Sequence, residues 1–182
     1  MKNLIYTPKE NSFLAKNISW LGSLLLLPIM LYFYFNIGNF LLIDYLNLLI
    51  HEGGHGIFRA FGDFIYTLGG TLMQIIIPTM FVVYYFIKKR KLGAQIFLVW
   101  LGQNFFNISV YTSDARAQKL PLLGGNKVYH DWAYMLNKLE IIEYDKLIGE
   151  IFIYLGLAAF CIALLVPMII KKEKRINIDL NL

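Results

Sequence analysis

Five apolar runs, each about as long as a membrane-crossing helix, dominate a chain of 182 residues. They extend near Ile18 to Phe35, Phe40 to Phe61, Phe64 to Ile87, Leu92 to Tyr111 and Leu147 to Ile170. A helix rising ~1.5 Å per residue needs roughly 17 to 25 mostly apolar residues to cross the hydrocarbon layer, and each run meets that need. The chain is 58% hydrophobic and only 16% charged, where soluble domains are about a quarter charged. The expectation is an all-α, polytopic membrane helix bundle with about five transmembrane helices. No Pro/Gly/Ser-rich linker and no internal repeat divides it, so residues 1–182 read as a single membrane-embedded domain.

The net charge of +5 sits in short clusters that flank apolar runs, "KKRK" at Lys88 to Lys91 and "KKEKR" at Lys171 to Arg175. Cations so placed anchor membrane helices on the cytoplasmic side, and no nucleic-acid partner is expected. With both clusters inside, the short link near Gly62 and Asp63 and the polar segment after the fourth run face the opposite side. Lys2, Lys9 and Lys16, and the Arg116, Lys119, Lys127, Lys138 and Lys146 of that polar segment, run against this orientation. The first run lacks a small-residue cleavage site and reads as a retained helix. The polar segment, residues 112–146, is expected to be an extramembrane loop in which Pro121 and Gly124-Gly125 turn the chain before a short amphipathic helix. Cys161 is the sole cysteine, so no intrachain disulfide is possible.

Against this apolar background the second run contains "HEGGH", His51 to His55. Histidines four apart share one helix face about a turn apart and can meet a single Zn²⁺. In an H-E-x-x-H arrangement the glutamate, here Glu52, is a general base that takes a proton from the attacking water. Packing histidines beside an incidental glutamate are the alternative. An ionisable group within a span costs at least ~2.5 kcal/mol on insertion scales, which favours the metal site. Gly53, Gly54 and Gly56 weaken a helix in water, but in a membrane they let a neighbouring helix or an extended substrate come close.

A catalytic zinc takes three protein ligands and leaves a position for water. Asp114, at the far end of the fourth run, reaches the same depth as His51 and His55 and is the expected third ligand. Asp44, two turns from His51 on the same helix, is expected to support or pack rather than ligate. His130 and Asp131, in "YHDW", would have to fold back from the loop to take part; as groups near the metal they are alternatives left open. Gln103, Asn104 and Asn107 on the fourth run, and Gln74 on the third, either orient a ligand or bind substrate, or simply hydrogen-bond between helices.

"HEGGH" within a span, followed by an aspartate near the end of a later span, resembles the site-2 protease class of intramembrane zinc metalloproteases, in particular its small bacterial members without a PDZ domain. The resemblance implies a hydrolase of the bacterial cytoplasmic membrane. It further implies Zn²⁺ held by His51, His55 and Asp114, Glu52 as the base, and cleavage of a membrane-anchored protein or peptide at the bilayer. The family's distal aspartate usually lies in a Leu-Asp-Gly motif, whereas Ser113 and Ala115 flank Asp114 here. The rival reading is a non-catalytic metal-binding membrane scaffold or assembly factor, which would prefer four closed ligands and need no base.

Overall fold

A computed structural model of the chain describes residues 12–121 and 129–170, and every regular element among them is helical. Six α-helices follow one another: α1 (Ser12–Phe35), α2 (Leu42–Phe58), α3 (Asp63–Ile87), α4 (Lys91–Ser113), α5 (Asp131–Lys138) and α6 (Asp145–Ile169). Five of them lie on the five apolar runs, and α5 is the short helix expected within the polar segment. The cluster Lys171 to Arg175, the residues Lys2, Lys9 and Lys127, and the turn at Gly124-Gly125 lie outside the described residues.

Among the described residues two helical stretches, Asp63–Ile87 and Ile142–Ile169, are long and apolar enough to cross a membrane, while Trp20–Phe35 is apolar but shorter. The other two long runs fall short for a physical reason. Helix α2 has 17 residues and buries Asp44, Asn47, His51 and His55, and α4 buries Gln95, Gln103 and Asn104 along its length. Polar side chains are concentrated on the helices that build the interior.

Chain reversals are set locally. Gly62, at φ +85°, joins α2 to α3, and Gly38, at φ +91°, lies between α1 and α2; both angles are easy only for glycine. Helix α2 starts where the Asp44 carboxylate reaches back to accept the Leu41 backbone N–H at 2.7 Å, satisfying one of the donors a helix start leaves open.

Helix α4 is central: it packs along α6 on one side and α3 on another, α3 in turn packs along α2, and α1 lies against α4 and α6. The α4–α6 crossing is close because Gly102 and Gly156 meet there; a Cβ on either would lie 2.9 Å from the other's carbonyl oxygen. Buried apolar side chains form two clusters. One, around Leu98, Phe106, Phe160 and Val166, joins α4, α6 and α1. The other, around Ile108, Trp132, Met135 and Leu136, clamps α5 onto α4 with Phe64 and Leu68 of α3 at its edge. That second cluster positions the site, because it fixes α5 against the end of α4 and the start of α3.

Candidate metal centre

His51 and His55 project from one face of α2 with their ring centroids 4.8 Å apart and the rings nearly perpendicular, at 84°. Each ring is held by its inner nitrogen. His55 Nδ1 lies 2.8 Å from the backbone carbonyl of Tyr66, which can only accept, so this nitrogen carries the proton. His51 Nδ1 lies 3.0 Å from Gln74 Oε1, on α3. Both Nε2 atoms therefore present lone pairs to the same space, the arrangement by which oriented histidines ligate metals.

The glycines of the motif divide by role. A Cβ on Gly54 would lie 2.9 Å from Gly70 Cα, so α2 and α3 touch backbone to backbone at this level. Gly53 and Gly56 face open space. Gly69 and Gly70, which the motif does not include, matter as much as Gly54: a Cβ on Gly70 would stand 2.5 Å from His51 Nε2. Two adjacent small residues in an otherwise bulky run were the available signal for that contact.

The third group is Asp131, not Asp114. Asp131 Oδ2 lies 2.8 Å from His51 Nε2 and 3.2 Å from His55 Nε2. The three residues offer one ligand atom each, all within 4.8 Å of one another. Asp114 ends α4 as its C-cap residue. Its carboxylate accepts the backbone N–H groups of Lys119 at 3.0 Å and Leu120 at 2.9 Å, so it turns the chain away from the helix instead of facing the histidines. His130 also serves the loop. Its Nδ1 accepts the Ala133 N–H at 3.3 Å and caps α5, its Nε2 faces Asp114 Oδ2 at 3.5 Å, and its ring lies on that of Tyr111, 4.3 Å between centroids. Asp114 and His130 thus hold the segment that delivers Asp131. The Asp131 backbone N–H donates to the Tyr111 hydroxyl at 3.1 Å.

The amides expected near the site separate clearly. Gln74 Nε2 donates to Asn107 Oδ1 at 3.0 Å, and Asn107 Nδ2 donates to Asp44 Oδ1 at 3.1 Å. Gln103 Nε2 donates to the same oxygen, at 2.6 Å. Asn104 stands apart: its Nδ2 donates to the Trp100 carbonyl one turn back, and no bond links it to the histidines.

Burial pushes the Asp131 carboxyl toward higher pKa, but the His51 and His55 imidazoles that face it outweigh this and hold it below the usual carboxylate value. Burial lowers the pKa of His130, against the pull of Asp114 and Asp131. A carboxylate beside two imidazoles with outward-facing lone pairs is a fitting donor set for a divalent cation such as zinc.

The three groups open onto a cavity of 940 Å³ whose wall includes Glu52, Asp44, Asn107 and Tyr111 together with apolar Phe40 and Leu48. Glu52 is exposed there, one residue from His51. No family model, curated protein or solved structure matches this chain.

Proposed function

We propose that the protein is a multi-pass intramembrane zinc metallopeptidase of the bacterial cytoplasmic membrane, acting on a membrane-anchored protein or peptide. The observation that carries the reading is the convergence of His51 Nε2, His55 Nε2 and Asp131 Oδ2 beside an exposed Glu52 at the wall of a large cavity. A five-helix crossing is supported by exposed apolar side chains on each of the five long helices: Leu24, Leu49, Ile87, Ile96, Ile151 and Met168 all face outward. Spans α2 and α4 then keep Asp44, Asn47, His51, His55, Gln95, Gln103 and Asn104 inside the bundle, with Glu52 at the cavity wall.

A zinc ion at this centre would polarise the scissile carbonyl and raise the acidity of water beside it. His51 and His55 would hold the ion through Nε2, while Gln74 and the Tyr66 carbonyl hold their rings. Asp131 supplies the charge of the third donor. Glu52 takes one proton from the attacking water as the oxygen adds to the carbonyl carbon, and hands it to the amine nitrogen as the C–N bond breaks. The surrounding helices limit access to an unwound peptide, since backbone in a bilayer must otherwise satisfy its own hydrogen bonds.

The direct test is Glu52→Gln. The proposal expects a variant that binds zinc as the parent does and cleaves no membrane-anchored reporter. Parental cleavage would contradict it. The rival, a non-catalytic metal-binding scaffold, predicts instead that Glu52→Gln retains every cellular function lost on deletion.

A further inference from the structure

Asp44 is a buried carboxylate, 3% exposed, whose four hydrogen-bond partners all donate. Leu41 N–H reaches Oδ2 at 2.7 Å, and Asn47 Nδ2, Gln103 Nε2 and Asn107 Nδ2 reach Oδ1 at 3.3, 2.6 and 3.1 Å. Four donors converge on it, the pattern that a carboxylate accepts.

A donor-only group fixes the donor roles on one branch. The Trp100 indole N–H, which can only donate, points at Asn47 Oδ1 from 2.9 Å. Asn47 therefore turns its NH₂ to Gln103 Oε1, 2.6 Å away. Gln103 in turn must offer its own NH₂ to Asp44. On the other branch a carboxylate requires Asn107 to donate, so Asn107 Oδ1 accepts from Gln74 Nε2. Gln74 Oε1 is then left as an acceptor, and His51 Nδ1 must be the N–H donor to it, at 3.0 Å. His51 Nε2 faces Asp131 Oδ2 at 2.8 Å; with that nitrogen given to the metal, one arrangement of protons satisfies every link, and it ends on Asp44 as the final acceptor.

We infer that Asp44 is a positioning residue for the metal centre, acting through Asn107 and Gln74 to hold His51 as the Nδ1–H tautomer with its Nε2 lone pair toward the metal. The inference rests on the metal-centre reading and gives a role to a buried charge that the reaction itself does not use. Asp44 lies seven residues before His51, about 10 Å along the helix axis. It touches no ligand and acts through the amides alone. Each link hands on polarisation in the same sense, from carboxylate to imidazole, which raises the donor strength of the histidine as a direct carboxylate partner would.

The experiment measures zinc affinity by chelator competition on the full-length, detergent-solubilised chain. It compares the parent, Asp44→Asn, Gln74→Leu and the double variant, and records ¹⁵N-histidine spectra of the zinc-loaded forms. Either single substitution should weaken zinc binding by about 10- to 100-fold. Because both cut one chain, the double variant should be no weaker than the poorer single. The His51 Nδ1–H resonance should shift in Asp44→Asn although nothing that touches His51 has changed. Should Asp44→Asn fail to fold, Asn107→Leu carries the test, since it leaves Asp44 its bonds from Leu41, Asn47 and Gln103. Parental zinc affinity in a folded Asp44→Asn or Asn107→Leu would overturn the inference, as would losses that multiply in the double variant. A parent that binds no zinc would overturn the metal centre with it, whereas parental cleavage by Glu52→Gln would sink only the peptidase reading.

Discussion

Gly70 lies so close beneath the imidazole of His51 that a methyl group added there would stand 2.5 Å from both Cε1 and Nε2 of the ring. Real Cβ atoms do not approach so near, so Gly70→Ala must push His51 out of its bond to Gln74 or drive α3 away from α2. Zinc content of the purified variant should fall to a small fraction of the parent's. Gly53→Ala and Gly56→Ala, which meet nothing within 4 Å, should retain parental zinc and gain slightly in helix stability, by about 1 kcal/mol each at most. Equal losses in all three would mean that the glycines act through helix flexibility and not through contact.

Asp131 and Asp114 make opposite predictions. Asp131→Asn keeps the shape but removes the charge that faces both histidines, and zinc should be lost outright. Asp114→Asn keeps one oxygen for the N–H groups of Lys119 and Leu120 and should bind zinc, with the chain destabilised by about 1–3 kcal/mol for a weakened charged acceptor. Thermal unfolding and zinc content, measured on the same two samples, separate the roles.

How far the site could be read from the sequence follows from which interactions are local. His51, Glu52 and His55 lie within one helical turn and a half, so spacing alone announces them. The helices on the five apolar runs were legible for the same reason, since length and hydropathy are properties of contiguous residues. Asp131 could be named only as an open alternative, because it reaches the histidines only after the chain leaves α4, turns at Asp114 and docks α5 through Trp132, Met135 and Leu136. Position at the end of α4 singled out Asp114 but could not tell that its carboxylate is taken by the backbone of the next loop. Gln74 was visible as an amide in an apolar run, but its alignment with Asn107 and Asp44 depends on the packing of α2, α3 and α4 together.

Tyr111 supports the third ligand through the backbone. Its hydroxyl accepts the Asp131 N–H, so Tyr111→Phe leaves that donor without its partner while the ring still packs against His130. The loss of one hydrogen bond is worth about 0.5–1.5 kcal/mol, and zinc affinity measured by chelator competition should drop by several-fold, far less than in Asp131→Asn. Parental affinity would show that packing alone positions Asp131.

At the base of α6, Asp145 is buried and takes both the side chain and the backbone N–H of Arg116, the guanidinium Nε at 2.8 Å and the backbone nitrogen at 3.3 Å. The bond ties the start of the loop that follows α4 to α6, away from the histidines. Arg116→Leu should lower the thermal unfolding midpoint and leave zinc stoichiometry unchanged. Loss of zinc from the folded variant would extend the centre's supporting structure to this end of the bundle.

The most direct measurement is metal content by mass spectrometry of the solubilised parent beside His51→Ala, Asp131→Ala and Asp114→Ala, after zinc is supplied and excess removed. The account predicts one zinc per chain in the parent and in Asp114→Ala, and none in His51→Ala or Asp131→Ala. A folded parent without zinc, or a zinc retained in Asp131→Ala and lost in Asp114→Ala, would contradict it.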